Sequence, residues 1–172
     1  DENKLIFELF SNWDENLYSK KKIRVEANGL AWSQYLTSDD LPASNPPWGY
    51  IAKIDLVSGK IIWKKNIGYK EIDGKKIQVG TPNFGGLSIN GSGIIFYTGT
   101  DDNYAYAIDP KNGKILWEYL LPHQSFVAPS TYVRDGEQYL VVVATGGGVL
   151  KKKYPDLVTS GDTIIAFKLK KN

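Results

Sequence analysis

Three short stretches carry residue types that could hold a ligand. Asn83 and Phe84 stand immediately before Gly85-Gly86, and a glycine pair lets backbone approach a ligand closely because no Cβ intervenes. Asp102 and Asn103 follow Gly99-Thr100-Asp101 at the start of the apolar run Tyr104 to Ile108. They therefore sit at a strand end, where polar loop residues gather. Gly146-Gly147-Gly148 follows a strongly β-branched run, Gln138 to Ala144, so its backbone is free to face a ligand. Other chemistry is poorly provided for. His123 is the only histidine, and a lone histidine without neighbouring ligands is incidental more often than catalytic. Ser130 lacks the Gly-x-Ser-x-Gly elbow of a nucleophile, so hydrolase chemistry is not expected.

The elements that must position these residues read as strands. Tyr50 to Asp55, Lys60 to Asn66, Ile94 to Tyr97, Ser130 to Val133, Gln138 to Ala144 and Thr163 to Leu169 are short runs rich in β-branched and aromatic residues. The turns between them are explicit. Asp73-Gly74 and Asp135-Gly136 are hairpin pairs needing positive φ, and Leu56 to Gly59 and Asn90 to Gly93 are further turns. Residues 1–46 are less regular, with Asp40-Leu41-Pro42 and Asn45-Pro46-Pro47 as extended-chain signals. We expect an irregular connecting segment over 1–46 and a β-domain over 47–172.

Composition agrees with an all-β chain. The 172 residues include 17 Gly, 5 Trp, 11 Tyr and 6 Phe, which favours a sandwich, barrel or propeller. The 21 basic and 19 acidic residues give a net charge of +2 and are interspersed. That excludes a dominant nucleic-acid face, which would cluster its positive charge. The absence of Cys excludes disulfides and thiolate metal sites. No apolar run approaches membrane-spanning length. The chain begins with Asp1 and contains no Met, so a processed product, a fragment or a trimmed chain is expected.

The chain also repeats itself. Shifted by 54 residues, Tyr50 to Trp63 lies over Tyr104 to Trp117, with Ile-Asp-x-x-x-Gly-Lys-Ile-x-Trp in common. The Asp can accept turn amides, the Gly supplies a conformation other residues avoid, and the Trp is a plate for packing against the next unit. Thr163 to Phe167 begins a third copy and stops before the turn. It is expected to complete a sheet whose other strands lie elsewhere in sequence. Repeats of about four short strands describe propeller blades, and this chain holds about two and a half of them.

The repeat resembles the tryptophan-docking repeat of pyrroloquinoline quinone (PQQ) propellers. The stretches between copies narrow the resemblance. Pro46-Pro47-Trp48-Gly49, Gly80-Thr81-Pro82-Asn83-Phe84-Gly85-Gly86, Asp102-Asn103-Tyr104, Ala128-Pro129-Ser130-Thr131-Tyr132, Gly146-Gly147-Gly148 and Gly161-Asp162-x-Ile164-Ile165-Ala166-Phe167 occur in order. That order resembles the C-terminal end of quinoprotein glucose dehydrogenases and related PQQ-dependent dehydrogenases. The resemblance implies part of an eight-bladed propeller that oxidises a sugar or alcohol with PQQ and a calcium-type divalent ion. Electrons would pass to ubiquinone or a cytochrome, in the periplasm. The family's metal ligands and catalytic base lie upstream of the matching portion, so catalytic and metal-ligating residues are expected in the remaining N-terminal part of the propeller. Asn83, Phe84, Asp102, Asn103, Gly147 and Gly148 are the expected cofactor-binding residues. A Trp takes the place of Phe84 in alcohol and methanol dehydrogenases. Gly148 stands where membrane glucose dehydrogenases often carry a His. On this reading Asp102→Ala should weaken quinone retention more than it lowers stability. The alternative is a non-catalytic propeller scaffold that uses the same repeats for protein contacts.

Overall fold

A computed structural model describes residue 37, residues 41–146 and residues 160–169. The chain divides into two compact units, Asp1–Ala43 and Ser44–Asn172. Most of the segment expected to be irregular lies outside the described residues. The second unit is built of strands, and no helix occurs among the described residues.

The strands form short antiparallel sheets in sequence order. β1 (Tyr50–Ile54) pairs with β2 (Ile61–Asn66), and β3 (Lys70–Ile72) with β4 (Lys75–Ile77). β5 (Leu87–Ile89), β6 (Ile95–Tyr97), β7 (Tyr104–Ile108) and β8 (Ile115–Leu120) make a four-stranded meander. β9 (Ser130–Arg134), β10 (Glu137–Gly146) and β11 (Ser160–Lys168) make a three-stranded sheet in the order β11-β10-β9. The two Asp-Gly turns are as read: Asp73 and Gly74 have φ of 51° and 70°, and Asp135 and Gly136 have φ of 53° and 72°. Both residues of such a pair sit where only Gly, Asn and Asp are at ease, and that twist matches the flanking strands.

The internal repeat is structural. β1–β2 and β7–β8 are hairpins with the same irregularity, between Lys53 and Ile54 in one and between Ala107 and Ile108 in the other. Their turns close alike. The Asp55 amide donates to the Lys60 carbonyl at 2.9 Å and the Gly59 amide to the Asp55 carbonyl at 2.8 Å. The Asp109 and Gly113 amides repeat this at 2.8 and 2.9 Å. The carboxylate of Asp55 accepts from the Ser58 amide, and that of Asp109 from the Lys111 amide, each at 2.8 Å or less. Thr163 to Phe167 lies within β11, the third strand from β9, as β7 is the third from β5. Its sheet partner is β10, immediately upstream. Its opposite edge has no strand partner among the described residues.

Two cores lie on the two faces of the meander, and β7 feeds both because successive side chains alternate across a strand. Tyr106 and Ile108 join Ile51, Ile67, Ile95 and Tyr97, with Trp63 packed against them. Ala105 joins Leu121, Leu140, Val142 and Ala144, with Phe96, Trp117 and Phe167 packed alongside. The two repeat tryptophans bridge neighbouring sheets. The Trp63 indole N–H donates to the Pro110 carbonyl at 3.1 Å, and a Cβ on Gly113 would come within 2.8 Å of its ring. Trp117 meets Phe167 of β11 edge-on at 5.0 Å. That makes one complete four-stranded blade flanked by a two-stranded and a three-stranded part.

Candidate functional site

The start of β5, the end of β6, the start of β7 and the end of β8 lie at one end of the meander, as its antiparallel register requires. The loops at that end, 80–86, 98–103 and 121–129, carry four of the six expected site residues. Gly147 and Gly148 lie outside the described residues.

Loop 80–86 is bound to loop 98–103 by backbone. Asn83 forms an isolated antiparallel bridge with Thr100, and the Phe84 amide donates to the Gly99 carbonyl at 3.0 Å. The glycines here serve chain against chain. A Cβ on Gly85 would lie 2.4 Å from the Thr98 carbonyl oxygen, and one on Gly99, whose φ is +101°, would lie 2.1 Å from the Gly85 nitrogen. The glycine pair thus lets two loops touch, and the close approach is to backbone of the same protein. Phe84 is 40% exposed at this end. Its ring meets Phe126 of the third loop edge-on at 6.4 Å.

Asp102 is the hub of the cluster. Its Oδ2 accepts from the Tyr69 amide at 2.7 Å and the Tyr106 hydroxyl at 2.6 Å. Its Oδ1 accepts from the Thr100 hydroxyl at 2.5 Å and the Tyr104 amide at 3.1 Å. These four donors occupy the carboxylate's acceptor sites, so its capacity is directed inward. Burial and the adjacent Asp102 charge push the Tyr106 hydroxyl far above the usual phenol range. Burial likewise moves Tyr97 up to about 12. Both hydroxyls therefore stay protonated, and Tyr106 remains a donor to Asp102.

Asn103 adopts a left-handed φ of 63°, which Asn tolerates better than most residues. Its carbonyl accepts the Leu121 amide at 2.8 Å, tying this loop to the third. Gln124 ties them again through its amide N–H on the Asp101 carbonyl at 3.2 Å. The Gly146 amide donates to the Gln124 carbonyl at 2.8 Å, so the end of β10 joins the same cluster. His123 packs here too, its ring in the space a Cβ on Gly161 would need.

Two residues that sequence reading did not single out complete the electrostatics. Asp101 pairs with Lys70 at 2.8 Å, and Gln124 is 6% exposed. The Asp101 Oδ1, the Asn103 Oδ1 and the Gln124 Oε1 are all buried without a hydrogen-bond partner. All three are acceptors. Acceptors closed to solvent and left unpaired carry a desolvation cost, so the cluster holds polar groups at the expense of stability. The tandem Asp101-Asp102 was the available signal, because one turn's amides serve only one of two adjacent carboxylates.

Desolvation raises the Asp101 pKa above the ordinary carboxylate value, opposed by the Lys70 charge. A carboxylate with a raised folded-state pKa binds its proton more readily folded than unfolded. Its contribution to stability therefore falls as pH rises from the unfolded value, about 4, through the raised one. Denaturation measured across that window should show Asp101→Asn gaining on the unaltered protein as pH rises. Equal pH dependence in both proteins would contradict the assignment.

The profile of a PQQ family, described as the glucose/ethanol/alcohol dehydrogenase β-propeller domain, matches residues 11–140. The chain belongs to this family. Among curated members of this PQQ family, it is 34% identical to quinoprotein glucose dehydrogenase A of Acinetobacter calcoaceticus over 150 residues, which is 84% of this chain and 18% of that protein. It is also 34% identical to the glycerol dehydrogenase large subunit of Gluconobacter thailandicus, over 67% of this chain and 16% of that one. The chain thus spans less than a fifth of the length of these relatives. A solved quinohemoprotein alcohol dehydrogenase from Pseudomonas putida shares the fold, with a TM-score of 0.51 and 21% identity over 70% of this chain and 16% of that one. The blades are therefore those of a PQQ-family β-propeller domain.

Proposed function

We propose that this chain forms one wall of the cofactor pocket in a PQQ-dependent dehydrogenase that oxidises a sugar or an alcohol. The observation carrying this reading is the convergence of loops 80–86, 98–103 and 121–129 at one end of the meander, where the Phe84 ring is exposed. A flat heteroaromatic ligand suits that ring face. PQQ would supply the hydride acceptor there and a calcium-type divalent ion a Lewis acid, with Asn83, Phe84, Asn103, Gly147 and Gly148 the residues of this chain that would face the quinone.

The residues of this chain orient and enclose. Phe84 offers its face and, with Phe126, excludes water from that side. Asn83 and Asn103 stand on loops clamped to each other through Gly85, Gly99 and Leu121. Asp102 fixes the loop from behind, and its contribution to the pocket is positional. Gly147 and Gly148 belong to the same reading as backbone neighbours of the quinone. The base and the metal ligands are assigned to the N-terminal part of the propeller. We place the enzyme in the periplasm, with ubiquinone or a cytochrome as electron acceptor. The contacts of Trp63 and Trp117 support a tryptophan-docking role for the repeat.

The test is reconstitution of the full-length protein with PQQ and calcium, followed by dye reduction with glucose, glycerol and 1-butanol. Quinone-dependent oxidation of at least one is expected. A folded protein that retains no quinone and oxidises none of them would favour the scaffold alternative.

A further inference from the structure

A second concave site lies away from these loops, between β2 and the turn joining β7 to β8. It is a cleft of about 740 Å³ lined by Lys64, Lys65, Lys114, Asn66, Gln78 and Asn112, among others, with no carboxylate in its lining. Lys70 pairs with Asp101 at 2.8 Å and Lys168 with Glu137 at 2.5 Å, while Lys53 donates to the Pro110 carbonyl and Lys76 to the Tyr104 hydroxyl. Lys65 and Lys114 have no carboxylate within ion-pair distance among the described residues, and Lys64 lies over the Tyr50 ring at 3.6 Å. Side chains alternate across β2, so Lys64 turns to the Tyr50 side and leaves the side chains of Lys65 and Lys114 as the two cations lining the hollow, where like charges repel unless an anion joins them.

The floor is fixed. Gly113 is buried with φ of 72°, and a Cβ there would lie 2.7 Å from Lys65 Cγ and 2.8 Å from the Trp63 ring. The Lys65 stem therefore rests on the turn that lines the cleft. The amides of Asn66, Gln78 and Asn112 add polar lining.

We propose that this cleft binds a phosphate-bearing anion. A phosphate monoester brings a charge of about −1.5 to −2 and three acceptor oxygens, and lysine serves phosphate as a point charge without needing planar geometry. A monocarboxylate would match only one of the two lysine charges. The same chemistry is offered by a soluble phosphate and by an anionic lipid headgroup.

The experiment is calorimetric titration of the intact protein with inorganic phosphate at low salt, beside co-sedimentation with phosphatidylglycerol or phosphatidylcholine vesicles. The Lys65→Glu/Lys114→Glu variant should bind at least tenfold more weakly, and the milder Lys65→Gln/Lys114→Gln variant should weaken in the same direction. Lys60→Glu/Lys75→Glu, with the same charge change on exposed residues outside the lining, should bind within twofold of the unaltered protein. Phosphate binding without vesicle binding assigns a soluble ligand. Vesicle binding that needs both anionic lipid and the two cleft lysines assigns a headgroup. No binding of either probe, or equal loss in the control variant, overturns the proposal.

Discussion

Asp102→Ala is expected to destabilise the fold by roughly 3–5 kcal/mol. The loss of one carboxylate strands four donors, among them the hydroxyl of fully buried Tyr106. Hydrogen bonds to a charged group contribute about 1.5–3 kcal/mol each, and buried donors left unpaired add their desolvation cost, though effects within one network do not sum. Asp102→Asn keeps the shape but turns an NH₂ toward donors, and should cost about 1–3 kcal/mol. Denaturant unfolding monitors both, as a lower midpoint with an unchanged slope. This reverses the order expected from the sequence, where the same substitution was to act first on quinone retention. If Asp102→Ala unfolds at the same midpoint as the unaltered protein, the hub assignment fails.

Gly99→Ala is the second large effect. Its φ of +101° disfavours any side chain, and the new methyl would sit 2.1 Å from the Gly85 nitrogen. Neither atom can yield without moving a backbone, so backbone strain and overpacking together should cost about 2–5 kcal/mol. Gly91→Ala is the control: nothing lies within 4 Å of the added atom, and a change within about 1 kcal/mol is expected. Because Gly99 also accepts the Phe84 amide, Gly99→Ala should displace the Phe84 ring. Quinone retention by the full-length protein should then fall even at temperatures where the variant stays folded. Normal stability in Gly99→Ala would show that the two loops do not touch as described.

Much of the fold was legible because its signals are local. A short β-branched and aromatic run, an Asp-Gly pair and a repeated Asp-x-x-x-Gly each specify a strand or turn within a few residues, and these appear where read. β5 was not singled out because Leu87-Ser88-Ile89 is too short to show alternation, and only pairing with β6 defines it. β11 begins at Ser160, ahead of the expected Thr163, because polar residues there pair with the end of β10 across a register shift. At the candidate site, residue positions were legible and roles were not. Which of Asp101 and Asp102 turns inward depends on Tyr69, Tyr106 and Lys70, whose side chains arrive from other strands and loops. The purpose of Gly85 depends on Gly99, fourteen positions away, and no local pattern announces that meeting.

Among the described residues, every hydrogen-bonded pair of neighbouring strands is also a pair of neighbours along the chain. That has a kinetic meaning. Apart from the 13 residues between β10 and β11, the paired strands are joined by short loops, so the entropy lost before contacts form stays small. A blade can take shape as soon as its four strands exist, without waiting for distant chain. Opening should then follow the same seams, with one sheet exchanging its amide hydrogens as a group while its neighbour stays protected. The loop cluster, which draws on several sheets at once, would be the last part to assemble and the first to loosen.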